Sequence, residues 1–342
     1  MKLSVLDQSP IRAGQAPDAA IRESLDLARA CEAFGYHRYW LSEHHNLESV
    51  AGSAPEILAA AIAATTSRIR VGSAGVMLPH YAALKVAEQF RVLEAIAPGR
   101  IDLGVGRAPG GDGRTAFALN PNAARAADQF PAQIQELQAW TSNTPLPDKH
   151  PFRSVMAMPT GPCAPEIWVL GSSLYGAQLA AALGLPYAFA YFFTDGEGAA
   201  EAIALYRQNF RPSATLSQPY CAVTIWALAA PTLAEAEYWY SSRAIAWALR
   251  GRGRFIPLPA PEDAAKIELT PPEQASLNAA RARAFIGTGP DVAEKLRALG
   301  QALQLDEIAI TSAAFDPATR TRGYELLARE FGLTGQGIQS AL

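Results

Sequence analysis

Cysteine is scarce in this chain. Only Cys31, Cys163 and Cys221 occur among 342 residues, an odd number, far apart and never at C-x-x-C spacing. Neither a disulfide framework nor a zinc site is indicated, and a reducing, cytoplasmic setting follows. Charge is also sparse, at 18% of residues with a net value of −3. That balance gives no support for nucleic acid or an anionic membrane surface as partner. The one basic concentration, Arg243, Arg250, Arg252 and Arg254, has no interleaved aromatic ladder and reads as a solvated helix end and loop. The opening "MKLSVLDQSP" meets Asp7 and Pro10 too soon for a signal peptide. Residues 167–194 carry no charge for 28 positions, long enough to raise the question of a membrane span. Gly171, Ser172, Ser173, Gly176, Gly184 and Pro186 break that run into strand, helix and strand, so a doubly buried βαβ unit explains it better.

Apolar residues, at 49%, are abundant enough for a large core. Two hydrophobic periods alternate along nearly the whole length. Strands are expected at "KLSVLDQS", "YHRYWLS", "RIRVGSAGVML", "GRIDLGVG", "EIWVL", "PYAFAYFF", "YCAVTIWALAA" and "DEIAITS". Helices follow each, at about 18–34, 57–65, 83–97, 123–140, 173–183, 197–210, 232–250 and 317–331, with two more at 272–284 and 290–303. Ser53 and Glu56 have the S-x-x-E spacing of a capping box. Eight mostly apolar strands alternating with helices predict a single (β/α)8 TIM barrel over residues 1–342. An irregular stretch after the seventh strand, 251–271, is expected to be a mobile lid. The competing open doubly wound sheet lacks its signature, because Pro109 stands where "GVGRAPGG" needs its third glycine.

Barrel active sites sit at the C-terminal ends of the strands. Four unusual stretches fall there: "WLSEHHN", Ala74-Gly75-Val76-Met77, Arg107, and Gly171-Ser172-Ser173. Adjacent histidines on a strand diverge, whereas barrel metal sites use H-x-H spacing, so a metal at His44 and His45 is disfavoured. "VLGSSLYGAQLAAALG" runs from strand to helix through a hydroxyl-rich turn. Free N–H groups of a helix's first turn make a phosphate cradle, and Arg107, one strand over, adds a bidentate cation. Ser-Ser before a helix is also an ordinary N-cap.

"YWLSEHHN", "IRVGSAGVMLPHYAALKVAEQFRVLEAIAPGRIDLGVGRAPG" and "WVLGSSLYGAQLAAALGLPYAFAYFF" resemble the luciferase-like monooxygenases, flavin-dependent relatives of bacterial luciferase. The resemblance covers about residues 1–210 and returns at "FIGTGPDVAEKL" and "DEIAITSAAFDPATRTRGYELLA". It implies a (β/α)8 barrel using FMN that arrives reduced from a separate flavin reductase, with O2 oxygenating a small organic substrate. His44 matches the family's catalytic histidine. Ala74-Gly75 matches a pair joined by a non-proline cis peptide beneath the flavin. Arg107, Ser172, Ser173 and the N–H of Gly176 match its phosphate contacts. Bacterial luciferase carries a reactive cysteine immediately before this arginine. Gly106 stands there in this chain, which argues against light emission and an aldehyde-type substrate. A relative using the deazaflavin F420 for hydride transfer is the close enzymatic rival, and a non-catalytic flavin-binding protein is the other. A homodimer is compatible with either.

Overall fold

Eight parallel strands close on themselves in the computed structural model, which describes residues 1–251 and 253–335. The strands are β1 (Lys2–Asp7), β2 (Arg38–Leu41), β3 (Arg70–Met77), β4 (Ile101–Gly106), β5 (Glu166–Gly171), β6 (Tyr187–Phe189), β7 (Cys221–Ala230), β8 (Phe285–Thr288) and β9 (Glu307–Thr311). β1 to β7 pair in sequence; β9 then joins β7 to β1 and completes a TIM barrel. The eight strands expected from the sequence are the eight that close. β8 is a ninth, outside the ring. It pairs with the far half of β7, Ala227 to Ala230, while β9 pairs with the near half, Ala222 to Trp226.

The strands are apolar runs because helices cover the barrel outside and side chains fill it inside. Leu6, Trp40, Trp168, Ala188, Ala222 and Ala309 fill the interior, with the two tryptophan rings edge to face at 4.9 Å. Below them residues at the N-terminal ends of four strands form a charged floor. Arg38 Nη1 donates to Asp102 Oδ2 at 2.9 Å and to Glu166 Oε2 at 3.0 Å, and its Nε lies 2.7 Å from Glu307 Oε1. Trp40 Nε1 donates to the same Asp102 oxygen at 2.9 Å. Gly72 lets β3 pass this floor, since a Cβ there would lie 1.9 Å from the Asp102 carbonyl oxygen. With the N-terminal end plugged, open space is left at the C-terminal end.

Local rules placed most helices within a residue or two, and the departures have physical reasons. The helix Pro55–Thr65 has Pro55 at its first position and Ala54 as N-cap, so Ser53 and Glu56 are one position out of register and form no capping box. Glu56 instead accepts from Gln89 Nε2. The expected helix at 123–140 is two, Ala123–Asp128 and Phe130–Ser142, separated at Gln129 with Pro131 opening the second. The run 167–194 is β5, the helix Leu174–Leu183, β6 and a short helix Tyr191–Thr194. Among the described residues no helix is long and apolar enough to cross a membrane.

Candidate active site

The C-terminal ends of β3, β4 and β5 surround a cavity of about 510 Å³, a size ordinary for a cofactor site. Ala74, Gly75, Arg107, Ser172, Ser173 and Gly176 all line it. The Ala74–Gly75 peptide is cis, and β3 shifts register against β4 at that point. A Cβ on Gly75 would sit 2.3 Å from Leu170 Cδ1 and 2.7 Å from the Gly104 carbonyl, so only glycine fits.

At one end of this cavity the helix Leu174–Leu183 begins. Ser173 is its N-cap by position, yet its side chain makes no capping hydrogen bond. Ser172 and Ser173 are both exposed. Gly176 is buried in the first turn, where N–H groups lack helical acceptors. Arg107 is exposed, with its guanidinium carbon 4.0 Å from the Tyr175 ring centre. Cation, hydroxyls and helix N-terminus therefore converge on one spot. Gly106 leaves the wall beside it open; a Cβ there would come within 3.2 Å of Met77 Cε.

An adjoining cavity of about 550 Å³ shares Ala74, Met77, Ala108, Phe192 and Phe193 with the first, and His44 lines it. Ser42 Oγ lies 3.0 Å from His44 Nδ1. Burial, then the positive charge of Arg250, lowers the His44 pKa to about 4. His44 is therefore neutral at pH 7. His45 turns away from this space. Its Nε2 lies 2.7 Å from Glu43 Oε1 and its amide donates to the Gly110 carbonyl.

The family model for luciferase-like monooxygenases matches residues 1–306. A "Luciferase-like monooxygenase" of Escherichia coli (strain K12) is 41% identical over 324 residues, 94% of this chain and 95% of its own. An "N-acetyl-S-alkylcysteine monooxygenase" of Bacillus subtilis (strain 168) is 35% identical, covering 96% of this chain and 97% of its own. The crystal structure of apo-MsnO8 superposes with a TM-score of 0.86 at 35% identity, over 98% of this chain and 99% of the other. The chain belongs to the luciferase-like monooxygenase family. It is an oxidoreductase.

In this luciferase-like monooxygenase several residues that sequence patterns did not flag also reach the site. Glu43 is buried behind His44 and accepts from Tyr81 Oη at 2.7 Å and from the Met77 amide at 3.0 Å. It thereby ties the end of β2 to the end of β3. Arg243 and Arg250, expected to be solvated, instead line a third, smaller cavity of about 120 Å³ that also touches His44, together with Trp226, Trp247 and Phe255. Arg252, read with them, lies outside the described residues. Among the described residues no group of three His, Cys, Asp or Glu side chains is placed to hold a metal.

Proposed function

We propose that this chain is an FMN-dependent monooxygenase that takes reduced flavin from a separate reductase and, with O2, oxygenates a small organic substrate. One observation carries the reading. A cavity with an apolar wall and a cis Ala74–Gly75 floor ends in Arg107, Ser172, Ser173 and the first-turn N–H of Gly176. These groups suit a phosphate monoester: a planar fork of donors, two hydroxyls and a helix terminus, none engaged by a carboxylate among the described residues. Leu6, Leu170 and Ala188 offer an apolar wall for a planar ring system. When bound, reduced FMN supplies the electrons for splitting O2, with one oxygen atom going to the substrate and the other to water.

The chain's own contribution is placement and proton handling. Ser42 fixes the His44 ring through Nδ1, leaving Nε2 as the atom that holds or passes a proton. Glu43 supports the backbone beneath it through Met77 N, and Phe192 and Phe193 form an apolar border common to both cavities.

The test pairs FMN titration with oxygen consumption, using externally reduced FMN against a panel of small organic substrates. FMN should bind, and one substrate class should raise oxygen uptake with stoichiometric oxygenated product. A chain that binds F420 and ignores FMN would overturn the cofactor assignment. FMN binding with oxygen uptake indifferent to every substrate and to removal of His44 would mark a flavin-binding protein instead.

A further inference from the structure

Arg243 and Arg250 lie seven residues apart on the helix Leu233–Arg250, two turns along one face. Both line the cavity that contains His44 and Trp226. Among the described residues neither forms an ion pair. The acidic groups nearby are already engaged. Asp195 pairs with Arg283 at 2.7 Å, Glu43 accepts from Tyr81, His45 and Met77, and Asp112 caps the helix Gly113–Leu119. A third guanidinium on that wall, Arg320, donates to Asp7 at 2.7 Å and to the Ser312 carbonyl at 2.7 Å.

Aromatic rings hold the two free cations in place. The Arg243 guanidinium carbon lies 4.6 Å from the Trp247 ring centre and 5.1 Å from that of Trp226. Arg250 lies 5.1 Å from Trp247, 5.4 Å from Phe255 and 5.5 Å from Phe193. Ring faces orient a guanidinium without using its N–H groups, so its donors remain free for a ligand. Burial pushes the Arg243 guanidinium down to about 10, as expected for a cation enclosed without a counter-ion.

We propose that Arg243 and Arg250 clamp an anionic group of the organic substrate, and that this group is a carboxylate. Arginine forks match a carboxylate in a bidentate manner. Phe192 lines all three contiguous cavities, so a ligand anchored at the two arginines lays its apolar part along Phe192 toward His44 and Ala74. The assignment rests on the cavity that ends in Arg107, Ser172 and Ser173 being the FMN site. It also couples binding to His44. An anion beside Arg250 cancels part of the positive field on the imidazole, so ligand binding raises the His44 pKa.

The experiment is calorimetry on the full chain with FMN present, using matched acid and amide pairs: octanoate and octanamide, 4-phenylbutyrate and its amide, N-acetylmethionine and its amide. At least one acid should bind about 10-fold or more tightly than its amide. Arg250→Gln should bring that ratio near one while FMN affinity holds, and Arg243→Gln should do the same; if the latter fails to fold, Arg250→Gln decides alone. Histidine NMR should show the His44 pKa rising when that acid is added, and not with the amide. The proposal is overturned by amides that match their acids in every pair, by acids that do not bind at all, or by Arg250→Gln keeping the preference. If FMN itself fails to bind the native chain, the cofactor reading falls, and the acid-to-amide ratio measured without flavin still decides the clamp.

Discussion

The Arg107 guanidinium stands 4.0 Å from the ring centre of Tyr175, so a cation from the end of β4 rests on the first turn of the helix that follows β5. The ring orients the fork beside Ser172 and Ser173 and leaves its donors unused. A charge-assisted hydrogen bond is worth about 1.5–3 kcal/mol. Arg107→Ala should therefore weaken FMN roughly 10-fold or more, and weaken riboflavin, which has no phosphate, far less. Fluorescence titration of both flavins checks this. Equal losses would move the phosphate away from this end of the cavity.

The charged floor of the barrel makes a prediction about stability rather than chemistry. Asp102 is buried and receives Arg38, Arg70 and the Trp40 N–H. Burial alone would raise its carboxyl pKa, but Arg38 and Arg70 hold it below the usual range. A depressed acid contributes stability above its unfolded pKa, near 3.9, and loses it as pH falls further. Removing one partner of a buried ion pair costs about 3–5 kcal/mol. Asp102→Ala should lower the urea-unfolding free energy by about that amount at pH 7, with FMN affinity of the folded fraction preserved. A loss under about 1 kcal/mol would show that Arg38 is adequately held by Glu166 and Glu307.

The barrel was legible because its strands are buried on both sides. All six residues of β4 and all five of β9 are buried, so beyond Asp102 and Glu307 at their starts each reads as a run without polar alternation. β8 was not legible: four residues with Gly287 inside offer too short a run, and its pairing with β7 depends on how far β7 outlasts the ring. Site residues carried by strand ends and a helix start, Arg107, Ser172 and Ser173, fall where the fold rule puts them. The arginine wall did not, because sequence spacing puts Arg243 and Arg250 on one helix face without saying which way that face looks. Trp226, seventeen positions earlier on β7, turns that face into a cavity wall, and only tertiary packing brings it there. Glu43 was hidden for the same reason. Its partners, Tyr81 and Met77, come from the next βα unit.

The stretch 253–271 is tied down unevenly. Leu258 exchanges backbone hydrogen bonds with Ile11 and Ala13, and Ile267 and Leu269 pack with Ile245 and Leu249. Before Leu258 the chain is exposed at Arg254, while Gly253 and Phe255 border the cavity of His44. Motion of the lid is thus expected in residues 253–257, with the rest as anchor. Trypsin should cut first after Arg254, and FMN should slow that cut by ordering the cavity rim. A first cut elsewhere, at a rate indifferent to FMN, would make this an ordinary surface loop.

His44, not His45, should carry the proton chemistry. The two side chains diverge: His45 pairs with Glu43, while His44 lines the cavity with Ser42 on its Nδ1. A pKa near 4 keeps His44 neutral across the working range, so its Nε2 acts as a hydrogen-bonding donor or acceptor without first losing a proton. Activity that needs the neutral ring should then persist as pH falls through 6.5 and fail only near pH 4. Arg250→Gln should shift that limb upward, though not to 6.5, because burial is the larger cause and remains. General acid–base help is worth about 100- to 10,000-fold. His44→Ala should lose that much substrate-dependent oxygen uptake with near-normal FMN affinity, and His45→Ala far less. If His45→Ala proved the damaging change, or if the double variant still turned over normally, proton transfer in this cavity would belong to another group.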